Sequence, residues 1–206
     1  LVFPSRLALK NEHGQSYQLT GATVYALDHT SVTITLTESV RARALRMSAM
    51  RGGMYGVNGV LLDAAVEALQ DIARVKNAMA TNISVLELED IRSPTIQSCT
   101  VAYATGMMTV TSDESMRSDL IDVGKIYLSN SVGGKDINLA GASIIGPSIT
   151  GTPSLTVTIR LSEAQRVQAI ALSSTQGGDG SALTADFDVG ALSDVGRNPS
   201  LEATGI

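Results

Sequence analysis

The sequence predicts an all-β protein with short helical turns, built from two copies of one unit. Strand signals dominate, because Ser31–Thr37 and Leu155–Ser162 alternate apolar and hydroxyl side chains as half-buried strands do. Each of these strands is followed by a short stretch with helical spacing and then by a pair of glycines. The two stretches are copies, since ten of the 22 residues in Val32–Gly53 are identical, without a gap, in Val157–Gly178. An internal repeat of this size indicates a tandem array of small domains.

The repeat continues on both sides of this stretch. Leu19–Val24 returns as Leu139–Ile144, and Asp63–Arg74 returns as Asp186–Arg197 with six of 12 residues identical. Because the copies of every segment are separated by nearly the same distance along the chain, whole units repeat rather than one isolated motif.

A junction between the units sets the predicted domain boundaries. Glu87–Thr95 is charged and contains a proline, a pattern typical of a short, stiff connection between domains. We therefore predict one domain over residues 1–90 and a second over residues 91–206, each long enough to form its own core. The second domain opens with the predicted strands Thr95–Tyr103 and Met107–Thr111, which have no counterpart in the first. We expect the chain to be an internal or processed piece of a longer protein.

Local signals place the remaining strands. Thr105-Gly106 is typical of the turn of a hairpin formed by the two opening strands of the second unit. Lys125–Asn130 and Asp136–Ile144 are predicted strands on either side of a glycine-containing turn. Ser5–Asn11 and Tyr17–Val24 are their copies in the first unit.

Each unit contains one predicted helix with a recognisable start. In the second unit Ser162 can cap the helix, and Gln165 stands three residues later, as in a capping box. Gly177-Gly178 ends this segment. Thr37 and Gly52-Gly53 hold the matching positions in the first unit.

One stretch is ambiguous. Taken alone, Val60–Lys76 has the apolar spacing of an amphipathic helix. Its copy, Leu183–Pro199, contains two glycines and a proline, which exclude a long helix. If both copies share one fold, the common solution is a strand followed by a helical turn near Ala68–Ala73 and Ala191–Gly196.

The repeated apolar positions predict matching cores in the two units. Residues on the inner face of the repeated strand should be buried, and truncating one of them should destabilise its unit. The predicted buried set is Ile34, Leu36, Ile159 and Leu161, with Leu69 and Leu192 expected to behave alike.

Composition excludes several classes of function. Aromatic residues make up 3% of the 206 residues, so few rings are present on which sugars or bases could stack. The formal net charge of −5 argues against a nucleic-acid partner. No membrane-spanning segment is expected, because no sufficiently long apolar run occurs. The single cysteine, Cys99, cannot form a disulfide within the chain.

The order of motifs in the second unit resembles a known type of repeat. A strand closing in TIRLSEAQR is followed by GGDGSA, by LTADFDVGALSDVGRNP and by ATGI. This order resembles the tandem immunoglobulin-like repeats of very long surface proteins, in particular the SWM-type repeat. Asp194–Asn198 also resembles the D-x-A-G-N close of other bacterial immunoglobulin-like domains, from which Asp71–Asn77 departs by an insertion. The resemblance implies tandem immunoglobulin-like β-sandwich repeats and an extracellular or cell-surface location.

No group of residues predicts catalysis. His13 and His29 fall in predicted loops of the first unit, and no Ser-His-Asp order recurs in the second. Cys99 lies in a predicted strand with no histidine nearby in sequence, which favours a small core residue over a nucleophile. Gly177–Gly180 lacks the Lys-Ser/Thr and the helix of a phosphate loop, so we predict a turn there. The chain is therefore predicted not to be an enzyme and to need no cofactor.

Acidic residues of the second unit are the candidates for a metal site. Asp179, Asp186, Asp188 and Asp194, together with Asn198, could offer the oxygen ligands that calcium prefers. Two of these positions carry Met and Ala in the first unit, so calcium would belong to the second unit alone. The alternative is that Asp194 caps a turn and the other carboxylates are solvated. No metal is therefore assigned.

Two further features concern the surface. Asn82 begins an Asn-Ile-Ser sequon and is the candidate for glycosylation, which would make glycans a partner of the chain. Arg41 recurs as Arg166, each beside a repeated glutamate, Glu38 or Glu163. This repetition indicates a local ion pair or an inter-domain contact rather than an anion site.

Together these observations predict a structural repeat segment of a long extracellular surface or filament protein, assembled through stacked or strand-sharing immunoglobulin-like domains. Its partners would be copies of itself or adjacent repeats of the same long chain. The alternative is a ligand-binding adhesin array on a cell surface. Its best candidate loop is the insertion Gly146–Leu155 of the second unit.

Overall fold

Antiparallel β-strands dominate the structure. The computed structural model describes residues 1–25, 30–54, 58–148 and 151–206. Across these residues the α-helices are two short ones, Glu38–Met47 (α1) and Glu163–Ala171 (α2). The prediction of an all-β chain with short helical segments is confirmed. The chain divides into two compact units, Leu1–Asp90 and Ile91–Ile206.

The described residues of the first unit form the strands Leu7–Lys10 (β1), Ser16–Gln18 (β2), Thr23–Tyr25 (β3), Thr33–Thr35 (β4), Leu61–Ala64 (β5) and Ala80–Ser84 (β6). These strands form a four-stranded antiparallel sheet with the order β2-β1-β5-β6 and a two-stranded antiparallel sheet that pairs β3 with β4. The apolar core of the unit is small and is formed by Leu7, Leu19, Val40, Ala64 and Ala68.

The strands of the second unit are Ile96–Ala102 (β7), Met107–Ser112 (β8), Ile126–Ser129 (β9), Ile137–Asn138 (β10), Ser143–Gly146 (β11), Thr156–Arg160 (β12) and Thr184–Phe187 (β13). One sheet has the order β10-β9-β13, and the other has the order β11-β12-β8-β7. Strands β9 to β13 repeat β1 to β5, and an isolated bridge between Phe187 and Ala203 lies where the first unit has β6. The added strands, β7 and β8, form the predicted hairpin, and its turn is closed by the Gly106 amide donating to the Ala102 carbonyl at 2.9 Å.

The core of the second unit draws on both sheets and on α2. Met108 and Val110 of β8 lie in the same buried cluster as Leu128 of β9, Phe187 of β13 and Ala169 of α2. This cluster is much larger than the core of the first unit. The difference follows from the hairpin, because β8 contributes side chains that the first unit lacks.

Both helices begin as the sequence predicts. The Ser162 hydroxyl accepts from the Gln165 amide, and the Gln165 side chain accepts from the Ser162 amide, so the capping box is complete. In the first unit the Thr37 hydroxyl accepts from the Val40 amide at 3.4 Å. These caps fix the point at which each strand turns into its helix.

The repeated second glycine after each helix is required by a close backbone approach. A Cβ at Gly178 would lie 2.0 Å from the Ser173 carbonyl oxygen, and a Cβ at Gly53 would lie 2.0 Å from the Ser48 carbonyl oxygen. No side chain fits such a space. The same local fold therefore ends both helical segments.

The ambiguous stretch is a strand followed by reverse turns, in both copies. The strand prediction is confirmed by β5 and β13, but the predicted helical turn is wrong. Instead, the Arg74 amide donates to the Asp71 carbonyl and the Arg197 amide donates to the Asp194 carbonyl, each at 3.1 Å. Both arginines have a φ of 66°, a left-handed conformation that ends any helical run.

Within the part of the chain that the structure describes, no helix has both the length and the apolar character needed to cross a membrane.

Candidate functional site

The two units differ most at one sheet edge. In the second unit β12 is paired on both sides, with β11 and with β8. In the first unit its repeat, β4, pairs with β3, and among the described residues no strand lies on its other side. We call this free side, Val32–Leu36, the open edge. An unpaired strand edge presents amide and carbonyl groups that can bind another strand.

In the second unit the matching edge, on β12, is paired with β8. Val157 lies opposite Val110, and Ile159 lies opposite Met108. At the end of the strand the Leu161 amide donates to the carbonyl of Gly106, in the hairpin turn, at 2.8 Å. The hairpin thus pairs with the full length of the strand that the open edge repeats.

Identical residues have different burial in the two units as a result. Val157 and Ile159 are completely buried, whereas Val32 is 37% exposed and Ile34 is only half-buried. Burial of Ile159 and of Leu161, as predicted, is confirmed. The expectation was wrong for Ile34 and Leu36, which are half-buried because no strand of the described residues covers this side of β4.

A second apolar surface is uncovered in the first unit. Leu192 and Val195 are completely buried in the second unit, where the Val195 amide donates to the Ser115 carbonyl at 3.0 Å. Their repeats, Leu69 and Ile72, are 38% and 85% exposed. The expectation that Leu69 would behave like Leu192 is therefore wrong, because the chain that follows the hairpin covers only Leu192 and Val195.

A groove of about 320 Å³ lies in the first unit beside the open edge. Its apolar wall includes Leu36 and Ala44, whose repeats Leu161 and Ala169 are buried in the second unit. Charged side chains also line the groove. The lining is Leu9, Leu36, Arg41, Ala44, Leu45, Val60, Val85, Glu87, Leu88 and Asp90.

The charged groups at the groove are held by local bonds. The Arg41 guanidinium donates to Glu38 at 2.5 and 3.0 Å and to Asp90 at 2.6 Å. A Glu87 carboxylate oxygen accepts from the Val60 amide at 2.7 Å. These bonds leave the leucine, valine and alanine side chains as the groove's apolar surface.

The repeated arginine and glutamate form an ion pair in each unit, as predicted. Arg166 donates to Glu163 at 2.5 and 2.8 Å, and this hydrogen-bonded guanidinium lowers the pKa of the Glu163 carboxyl. In addition, Arg166 Nη1 donates to the Tyr103 carbonyl at 3.0 Å, at the hairpin turn. In the second unit this arginine therefore also holds the hairpin on α2.

His13 lies in the first unit and Cys99 in the second. His13 is exposed in the turn after β1, and its amide donates to the Asn11 side chain at 3.1 Å. His29 lies outside the described residues. Cys99 is half-buried in β7 against the core, and burial raises its pKa to about 12. A thiol with that pKa is protonated at neutral pH and is a poor nucleophile.

The acidic residues proposed as calcium ligands have separate partners. Asp179 accepts from the Ser181 amide and from Asn130, which lower its pKa, and Asp188 pairs with Lys135 at 2.6 Å. Asp186 accepts from the Gly133 and Gly205 amides, and Asp194 accepts from the Asn198 amide and side chain. Within the described ranges, no three of these four carboxylates approach one another within 4.8 Å.

Asn82 lies on the surface of the first unit. It is exposed in β6, in a left-handed conformation with φ 59°, and its amide donates to Asp63 at 2.8 Å. Asp63 also binds Lys10 at 2.6 Å, and this ammonium is the main cause of its lowered pKa. The backbone around Asn82 is therefore fixed while its side chain faces solvent.

The predicted GGDG turn is present. The Gly178 amide donates to the Thr175 carbonyl at 3.0 Å, and the Gly180 amide donates to the Ser173 carbonyl at 3.2 Å. The insertion Gly146–Leu155 is described only in part, since residues 149 and 150 lie outside the described ranges.

Because the first unit has no copy of Thr95–Thr111, the sequence predicts exposed sheet edges and an uncovered side of its apolar core. It does not identify the groove or Ile72 as the exposed positions.

Comparison of the chain with models of known protein families, with curated proteins and with solved structures gives no match.

Proposed function

We propose that this chain is a structural repeat segment of a long extracellular surface or filament protein, in which immunoglobulin-like β-sandwich units share strands. The observation that carries the proposal is the contrast between β12, paired on both sides, and β4, paired on one side. The second unit shows how a strand of this repeat is paired on both sides, and the first unit leaves the same edge open, which suits it to assembly by strand addition.

The composition of the open edge supports this role. Proteins that keep an edge strand from pairing place lysine, proline or an inward-pointing charge on it. The segment Ser31–Thr37 reads SVTITLT and contains none of these residues. The edge is therefore suited to accept a strand rather than to repel one.

The chemistry of the chain favours a structural task over catalysis. The Cys99 thiol is protonated at neutral pH, and the acidic residues of the second unit are engaged by separate local partners. The immunoglobulin-like resemblance and the tandem repeat support a place in a surface array, and exposed Asn82 is compatible with a glycan there.

Assembly through the open edge predicts concentration-dependent association. In sedimentation velocity the chain should form larger species as its concentration rises, and Val32→Lys should remain monomeric. Val32 is already partly exposed, so lysine places a charge at the edge without removing a buried side chain.

Thr33→Lys is the matched control, because Thr33 is exposed on the other face of the same strand. It should associate like the unmodified chain. Association that is unchanged in Val32→Lys, or a chain that stays monomeric at every concentration tested, would contradict the proposed role.

A further inference from the structure

We propose that the open edge is the acceptor site for a β-hairpin of the β7–β8 type, supplied by a further repeat. The hairpin would lie antiparallel to β4, cover Val32 and Ile34, and place apolar side chains over the groove. This inference rests on the proposed strand-sharing function and names its partner.

The direction and register of the incoming strand follow from the second unit. The Leu161 amide points towards the hairpin, and the Leu155 carbonyl accepts from Ser112 on the same side. Because backbone groups alternate along a strand, those of Val157 and Ile159 face the same way. By the gapless repeat, the amides of Val32, Ile34 and Leu36 face the open edge.

The second unit also indicates which side chains the incoming strand carries. In β8, Met108 and Val110 are completely buried, and the residues on either side of each are only half-buried. Their partners on β12 are the repeats of Ile34 and Val32. A strand that fits the open edge therefore carries apolar residues two positions apart, with polar residues suited to the outer face between and beside them.

The partner must be longer than one strand. In the second unit Val101 and Tyr103 of the hairpin pack against the core, and residues 113–116 lead on to the contact with Val195. The first unit offers matching uncovered surfaces in its groove and at Leu69 and Ile72. A hairpin followed by a short extension would cover the open edge, the groove and the surface at Leu69 and Ile72 at once.

The hairpin already present in this chain is occupied. Its β8 forms five residue pairs with β12, from Thr156 opposite Thr111 to Arg160 opposite Met107. Donating it to a second copy would uncover the donor's own core, so copies of the chain that associate on their own would pair the β4 edge of one with the β4 edge of the other. A hairpin that is not paired within its own repeat fills the open edge without that loss.

A peptide titration tests the proposal on the full chain. The probe is a fluorescent synthetic peptide with the sequence of residues 94–116, carrying Cys99→Ser to prevent oxidation. Fluorescence anisotropy should show saturable binding of one peptide per chain. Val32→Lys should weaken binding at least about tenfold, and Thr33→Lys should leave it unchanged.

Two further variants make the outcome independent of folding at β4. Ile72→Lys changes a residue that is 85% exposed, so the fold of the first unit should be unaffected while peptide binding weakens. A peptide with Met108→Asp and Val110→Asp should not bind. The proposal is overturned if the unmodified peptide does not bind, if both peptides bind equally, or if Val32→Lys and Ile72→Lys bind as tightly as the unmodified chain.

The result also separates this inference from the proposed function. A chain that assembles through β4 but ignores the peptide keeps its assembly role and overturns the hairpin as occupant; pairing of β4 with the β4 of a second copy would give this result. A chain that binds the peptide but never assembles confirms the acceptor site and contradicts self-association.

Discussion

Replacing Leu192 by alanine should lower the free energy of unfolding of the second unit by about 3–5 kcal/mol, whereas Leu69→Ala should cost the first unit less than about 1 kcal/mol. Both residues hold the same place in the repeat, and their backbones are fixed in the same way. Asn77 exchanges hydrogen bonds with Leu69, and Ser200 exchanges them with Leu192. Only the cover over the side chain differs, so the pair isolates the effect of the missing segment.

The two costs should be measured in one chain, unit by unit. Hydrogen exchange in increasing urea reports the stability of each unit through its own amides, which avoids assuming that the two units unfold together. Equal costs for Leu69→Ala and Leu192→Ala would contradict the structure, because they would show that Leu69 is fully covered in the chain as it stands.

Joining a second copy of residues 94–119 directly to Leu1 should stabilise the first unit by about 3–5 kcal/mol. The Phe3 amide donates to the Ala68 carbonyl as the Asp122 amide donates to the Ala191 carbonyl, each at 2.9 Å, so Leu1 corresponds to Leu120. Because residue 119 directly precedes Leu120, the added segment needs no linker. The added segment would bury Val32, Ile34, Leu69 and Ile72 more deeply, offset in part by the entropy lost on ordering the segment.

A matched fusion separates this effect from that of a longer chain. In the control, the added copy carries aspartate at the positions of Met108 and Val110, which face the core in the second unit. Thermal unfolding and urea-dependent hydrogen exchange should show no stabilisation of the first unit in the control. Stabilisation by both fusions would show that the added strands do not pair with β4.

Features with local causes could be predicted from the sequence. The Ser162–Gln165 capping box, the hairpin turn at Gly106 and the strand at Thr156–Arg160 depend on residues close together in the chain. Comparison of the two copies also predicts a strand at Leu61–Ala64, because the glycines of the second copy exclude a long helix.

Features with distant causes could not be predicted in the same way. Ile34 and Ile159 are identical residues in identical local sequence, yet only Ile159 is fully buried, because a strand some fifty residues earlier in the chain covers it. The helical turn expected near Ala68 is replaced by reverse turns, because Arg74 takes a left-handed conformation that cannot be predicted from an arginine in the sequence. The acidic residues near Asp186 look like a cluster in sequence, but the fold gives each its own partner.

The most direct test of the open edge is the hydrogen exchange of six repeated amides in the chain at a concentration where it is monomeric. The amides of Val157, Ile159 and Leu161 should exchange slowly, as expected for a strand paired with β8. The amides of Val32, Ile34 and Leu36 should exchange orders of magnitude faster and become protected when the peptide of residues 94–116 is added. Equal protection of the two sets without peptide would contradict the account, because it would show that the edge of β4 is already paired.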